Sequence, residues 1–397
     1  MDKLLEISLN KVESVDTTFV RFLYQQIDWT DRLIGIRGAR GVGKSTLMLQ
    51  RIKLTHSSQS SLYMGLDDLF FLTTSLTSVV DHYYKLGVRS VFLDEVHKYP
   101  TWSQEIKSLY DNYPKLSIVF TGSSVVELFR RQADISRRAV FYDLPGMSFR
   151  EYLELDKGIK TPVIVLEDIL RNHITISREL KSTLDTPVGL LKRYLALGYY
   201  PYFKENERSY HHRLINTISL ILETDLPSVE NITYASVRKI KALLYVIAQS
   251  VPFKPNISLL SEKIESKRET VLQYLDFLER ATLLKLLRSS KQGIVQLNKP
   301  EKIYLDNPNL IYALADGNPQ IGNVRETFFM NQVSRKHTIF FPEKGDFMVD
   351  KQVIFEVGGS TKTKRQIQGI ESAYIAADDL ETGSGNKIPL WLFGFLY

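Results

Sequence analysis

The chain has 397 residues, 44% of them hydrophobic and 24% charged, with a formal net charge of +6. That length suffices for roughly two to four domains with proper cores, and the composition is that of an ordinary soluble globular protein. Cysteine is absent, which excludes disulfides, thiolate metal sites and cysteine nucleophiles and fits a reducing, cytoplasmic setting.

The N-terminal stretch "MDKLLEISLNKVESVD" is broken by charges every few residues, so it does not read as a secretory signal. No apolar run approaches the ~18 residues of a membrane helix, and no membrane partner is expected. The mild basicity permits a nucleic-acid partner without arguing for one.

The first informative elements are "RLIGIRG", a short apolar strand, then "GARGVGKST", then "STLMLQRIK", a helical pattern. Strand, glycine loop and helix in that order form a phosphate-binding loop, with the phosphates at a helix N-terminus. Gly38, Ala39, Arg40, Gly41, Val42, Gly43, Lys44, Ser45 and Thr46 make up the loop. Its glycines let backbone N–H groups turn inward, Lys44 reaches the terminal phosphates, and Ser45 supplies a hydroxyl to Mg²⁺.

"SVFLDEVHKYP" reads as a buried strand ending in Asp94 and Glu95. Downstream of a phosphate loop, Asp94 is placed to hold Mg²⁺ through water, and Glu95 to polarise the attacking water. "KLSIVFTGSS" is a third strand, expected between the other two, with Thr121 at its end as a sensor of the terminal phosphate. Ser123 or Ser124 reads equally well as the N-cap of a helix over "VVELFRR". Arg130, Arg131, Arg137 and Arg138 follow; taken singly each reads as a surface charge, and one of them as an arginine finger is the alternative.

"GARGVGKST", "LDEVHKYPTWSQEIKSLYD", "SIVFTGSS", "DISRRAVFYDLPGMSFREYL" and "GYYPYF", in that order, resemble the bacterial and archaeal AAA-superfamily ATPases related to the origin-recognition type. The resemblance covers nearly the whole chain and is strongest over 30–155. It implies an α/β fold: a P-loop NTPase core, a parallel sheet with flanking helices, then a helical linker, a winged helix and a small α/β restriction-endonuclease-like domain. The corresponding boundaries are 1–155, 156–235, 236–298 and 299–397. It also implies ATP binding through Gly41, Gly43, Lys44 and Ser45, Mg²⁺ and water chemistry at Asp94 and Glu95, and sensing at Thr121. Self-association stays open, as an arginine acting in trans would require it. Arg138 falls where such proteins carry a Gly-Arg pair; here Arg137 precedes it, and both arginines stay candidates. The Gly-Gly-Phe-Pro stretch of these proteins is altered to Gly198-Tyr199-Tyr200-Pro201.

Residues 156–235 read as helical and charge-mixed. His211 and His212 point to different faces of a helix and have no carboxylate at ligand spacing, so a surface reading is preferred to a metal site. Residues 237–287 read as three helices, the last two dividing near Ser266-Lys267. "RETVLQYLDFLERA" would take the recognition position of a winged helix, although Glu269, Asp276 and Glu279 make it acidic for a DNA-reading helix.

Near the C-terminus "KIYLDNPNLIYALA" reads as strand, turn and helix, "NVRETFFMNQVSRK" as a helix, and "KGDFMVDKQVIFEVGG" as a hairpin. Glu326, Asp346 and Glu356 are expected to converge, as the Mg²⁺-holding acids of a restriction-type nuclease do. The lysine such enzymes carry two residues after the last acid is replaced by Gly358, with Lys362 and Lys364 close behind. The favoured reading is an inert nuclease-like scaffold. "PLWLFGFLY", the last apolar run, reads as a buried strand.

Two functions remain from the sequence. One is an ATP-hydrolysing motor or switch with DNA or a protein as its partner. The other is an ATP-gated regulatory module with little hydrolysis, whose nuclease-like domain recognises a protein.

Overall fold

The computed structural model describes residues 2–122, 135, 137–227, 232–249, 255–290, 299–315 and 319–397. Two compact units emerge, Met1–Gly146 and Met147–Tyr397. Ser123, Ser124, Arg130 and Arg131, with the helix expected over "VVELFRR", lie outside the described residues.

The first unit is built on five strands: β1 Leu33–Arg37, β2 Ser61–Gly65, β3 Ser90–Asp94, β4 Ser117–Gly122 and β5 Val140–Asp143. Their order is β2-β3-β4-β1-β5, and every pairing is parallel. Such a sheet is covered on both faces, so its inner strands are continuous apolar runs rather than alternating ones. Leu33, Ile34, Val91, Leu93, Ile118 and Phe120 are all buried accordingly. The helices Asp2–Ser14, Lys44–Leu54, Leu76–Lys85 and Trp102–Asn112 surround it. β4 lies between β1 and β3, which brings the end of "SIVFTG" beside both the phosphate loop and Asp94.

The second unit opens with the helix Phe149–Lys157, started by a reciprocal capping box between Ser148 and Glu151. Helices Leu166–Leu184, Pro187–Leu197 and Tyr210–Leu220 follow. Three more, Tyr234–Ala248, Ile257–Lys263 and Arg268–Arg280, match the expected trio, with the break between Lys263 and Arg268. An antiparallel pair comes next, β6 Leu284–Leu287 with β7 Lys302–Leu305.

The remainder is a five-stranded sheet of β8 Ile339–Phe340, β9 Phe347–Val349, β10 Val353–Gly358, β11 Ala373–Ala377 and β12 Lys387–Pro389. The order is β12-β11-β10-β9-β8. β9 and β10 form the expected hairpin, while β11 and β12 run parallel to β10. The helix Ile321–Val333 packs on β10. The final apolar run departs from expectation. Only its first residue belongs to β12, and Leu390–Phe395 form a 3-10 helix in which every residue is buried. A continuously apolar run buried on all sides has no period to separate strand from helix.

Candidate functional site

The phosphate loop joins β1 to the helix Lys44–Leu54. Gly41 and Gly43 take φ of +82° and +98°, left-handed values that favour glycine. A side chain at Gly38 would lie 2.2 Å from the carbonyl of Leu144, just past β5, so only glycine lets the loop pass this strand. No side chain caps the helix after Gly43, and its first-turn N–H groups are left for an anion. The Lys44 ammonium donates to the carbonyls of Gly38 and Ala39, both at 2.9 Å, curling the loop around itself.

Asp94 ends β3, buried at the floor of a cleft of about 480 Å³ that Ser45, Tyr63, Gly65, Asp67 and Glu95 also line. Its carboxylate is held from three sides. Tyr63 donates its hydroxyl at 2.6 Å, Thr121 donates from the end of β4, and the Glu95 N–H donates at 3.1 Å. The same N–H also points at the Thr121 hydroxyl, 3.3 Å away. Glu95 itself sits at φ +53°, a costly conformation for a non-glycine residue and one that clusters at functional sites. That turn carries its carboxylate out of line with Asp94, to 3.5 Å from the His97 ring. Lys44, Ser45, Asp94, Glu95 and Thr121, assigned from scattered segments, thus fall at the C-terminal ends of the central strands β1, β3 and β4.

Arg138 does not join them. It precedes β5, whereas the phosphate loop follows β1, and the two strands are parallel; Arg138 therefore lies at the opposite end of the sheet from its own chain's loop. There it forms a two-pronged pair with Asp111 at 2.9 and 3.0 Å.

Three residues around the cleft escaped sequence reasoning. Tyr63 on β2 has its hydroxyl pushed well above the ordinary tyrosine pKa by burial and by Asp94, against a hydrogen bond with Ser45. Its phenol is thus a firm donor at the centre of the cleft. Lys11 of the N-terminal helix lies 4.9 Å over the same ring. Buried Arg21 donates to the carbonyl of Val42 in the phosphate loop and, at 2.8 Å, to that of Pro145. An arginine inside the apolar run "FVRFLY" was the available signal for the last of these.

In the second unit two of the three expected acids, Glu326 and Asp346, share one lysine, while Glu356 pairs with another. Lys302 of β7 donates to Glu326 and to Asp346, both at 3.1 Å, and Tyr304 donates to Glu326 at 2.6 Å. Asp346 also accepts from the Val357 N–H at 2.9 Å, and Lys362 pairs with Glu356 at 2.6 Å. Burial first, then the neighbouring Asp346, raises the Glu326 pKa against Lys302 and Tyr304. Burial likewise raises that of Glu356, opposed by Lys362. Among the described residues no group of three His, Asp or Glu is so arranged that it could hold a metal ion. His211 is half-buried rather than a free surface residue, its ring stacked on Tyr312 and its Nε2 2.8 Å from the Ala196 carbonyl, while His212 is exposed.

Residues 30–153 match a family model described as an AAA domain, and residues 188–320 match one described as a domain of unknown function (DUF8612). An uncharacterized protein of Methanocaldococcus jannaschii is 28% identical over 267 residues, which cover 64% of this chain and 56% of that protein. The chain thus spans little more than half the length of this curated relative. Similar solved structures include AMPPCP-bound DnaA from Aquifex aeolicus, at 14% identity and a TM-score of 0.25, over 69% of this chain and 86% of that one. C. elegans PCH-2 aligns at 16% identity and a TM-score of 0.25, over 39% of this chain and 44% of that one. A katanin structure does so at 16% and 0.25, over 44% and 64%. By the family-model match, residues 30–153 are similar to an AAA-type P-loop domain. Among the described residues no helix is long and apolar enough to cross a membrane.

Proposed function

We propose that the first unit binds ATP with Mg²⁺ and hydrolyses it, as a motor or switch for the rest of the chain. The observation that carries this reading is that Ser45, Asp94 and Glu95 line one cleft, with Thr121 bonded to Asp94 and to the Glu95 N–H and Lys44 held in the adjoining phosphate loop. Uncapped N–H groups and the Lys44 ammonium take the phosphates; to do so the ammonium leaves the loop carbonyls it now bonds. The donors near Asp94 suit Mg²⁺, which prefers hard oxygen ligands and keeps several waters. Ser45 would hold the ion by its hydroxyl and Asp94 through water. When bound, the ion neutralises charge on the phosphate oxygens. Glu95 orients a water and takes its proton, and Thr121 keeps Asp94 aligned with its one hydroxyl proton; to sense the terminal phosphate it would have to turn that proton from Asp94 to a phosphate oxygen.

Tyr63 is a positioning residue in this scheme, since its hydroxyl bridges towards both Ser45 and Asp94. Tyr63→Phe is expected to raise the Mg²⁺ concentration needed for half-maximal binding of a fluorescent ATP analogue by about threefold to tenfold, the worth of one ordinary hydrogen bond. Affinity measured in EDTA should stay within about twofold. An unchanged Mg²⁺ dependence would leave Tyr63 without this role.

Because Arg138 stands at the far end of the sheet from its own phosphate loop, any finger it provides enters a neighbouring copy. Activity per chain is then expected to climb with protein concentration, and Arg138→Ala to flatten the climb. Constant specific activity in the unsubstituted chain would leave the Asp111 pair as the residue's whole role.

The reading with little hydrolysis is separated from this one by turnover measured alone, with duplex DNA and with single strands. DNA contact would fall to the helices Ile257–Lys263 and Arg268–Arg280 in a winged-helix arrangement. Two acids of the second helix are already neutralised, Asp276 by Arg280 and Glu279 by Arg288. The C-terminal sheet serves recognition or assembly in this proposal rather than phosphodiester cleavage.

A further inference from the structure

Lys302 and Tyr304 stand two apart on β7, so they project from the same face of the strand, and both reach Glu326. The lysine goes further and bonds Asp346 as well. Its side chain is only 7% exposed, against 11% for Glu326 and 14% for Asp346. A buried ammonium survives only where carboxylates outweigh the cost of desolvation. That condition is met here: burial would lower the Lys302 pKa, but Glu326 and Asp346 hold it above the usual lysine value.

The second lysine has a comparable seat. A side chain at Gly358 would run into the Lys362 stem, 2.8 to 3.0 Å away. The stem therefore lies over the bare backbone two residues after Glu356 and delivers its ammonium to that acid. Lys362 fills from a loop the place left open at Gly358. The carboxylates of Glu326, Asp346 and Glu356 are thus already engaged by two ammonium groups, a phenol and a backbone N–H. These acids do not fit a divalent metal as they stand, since Mg²⁺ or Mn²⁺ needs oxygens at about 2.0–2.2 Å on several sides, and here the Lys302 ammonium bonds both Glu326 and Asp346.

We propose that Lys302 is the resident cation of this acidic cluster, standing between Glu326 and Asp346 where a divalent metal would bind and keeping that metal out. This rests on the reading of the C-terminal sheet as a non-cleaving domain and gives it a physical cause. Tyr304 completes the arrangement by fixing the Glu326 oxygen that the ammonium shares.

The test is Mn²⁺ titration of the full nucleotide-free chain at pH 8, with free Mn²⁺ read by electron paramagnetic resonance. The unsubstituted chain and its Glu326→Gln variant are expected to bind Mn²⁺ alike. Lys302→Met keeps the stem and removes the charge; it should bind one further ion at least tenfold more tightly, and Lys302→Met with Glu326→Gln should lose it again. Lys302→Arg, which keeps the charge, should gain nothing. The proposal is overturned if Glu326→Gln removes an ion from the otherwise unsubstituted chain, or if a folded Lys302→Met, checked by circular dichroism, binds no more than its parent. Should Lys302→Met not fold, the first comparison decides alone. Plasmid and single-stranded DNA incubated with Mn²⁺ in parallel test the underlying reading separately. Cleavage by the unsubstituted chain, lost in Glu356→Ala, sinks the non-cleaving reading, whereas failure of the Mn²⁺ gain sinks only the role of Lys302.

Discussion

Replacing Lys44 by alanine is expected to weaken ATP binding by roughly 10²–10³-fold, the scale of leaving a partly buried phosphate charge without its counter-ion. The lysine is buried and folded back on the carbonyls of Gly38 and Ala39. It is thus held within the loop that would wrap the phosphates, and its ammonium needs only to exchange two carbonyl acceptors for phosphate oxygens. Titration of a labelled ATP analogue measures the loss. Unchanged affinity with the fold retained would remove the nucleotide site from this loop. Lys44→Arg keeps the charge on a larger group that the tight loop does not accommodate, so partial loss is expected there.

Glu95→Gln should separate holding from hydrolysis. The amide keeps the shape and the left-handed turn at this position, and the Glu95 N–H still bonds Asp94 and Thr121. Binding should therefore change little. Turnover should fall about a hundredfold or more, because the amide cannot take the proton from water. Phosphate release under saturating ATP reads the effect. Turnover equal to that of the unsubstituted chain would show that another group acts as base, and equally low turnover in both would favour the ATP-gated module with little hydrolysis.

The nucleotide site was legible because most of its chemistry is local. A glycine loop between an apolar strand and a helix specifies its own backbone path, and "SVFLDE" and "SIVFTG" each announce a buried strand with a polar end. Parallel strands then bring those C-terminal ends to the same end of the sheet without further information. Two acids of the second unit were legible for a related reason: Asp346 and Glu356 flank one hairpin pairing, so turn and strand pattern alone set them side by side.

Tertiary structure alone decided the rest. No local pattern connects Tyr63 to Asp94 or Arg21 to Val42, because these contacts join separate strands and an N-terminal segment. Arg138 reads from the sequence as a surface charge with a finger as the alternative, and only the parallel register of β5 on β1 shows which end of the sheet it occupies. The final apolar run folded as a 3-10 helix because burial on all sides erases the periodicity that would distinguish the alternatives. Lys302 is the sharpest instance: in "KIYLD" it reads as an ordinary charge at a strand start. It becomes the cation between Glu326 and Asp346 only when β7, the helix Ile321–Val333 and the β9–β10 hairpin pack together. Residue types and short spacings determine which chemistry a segment can perform, while the pairing of a buried charge is a long-range property that exists only after packing has removed the water around it.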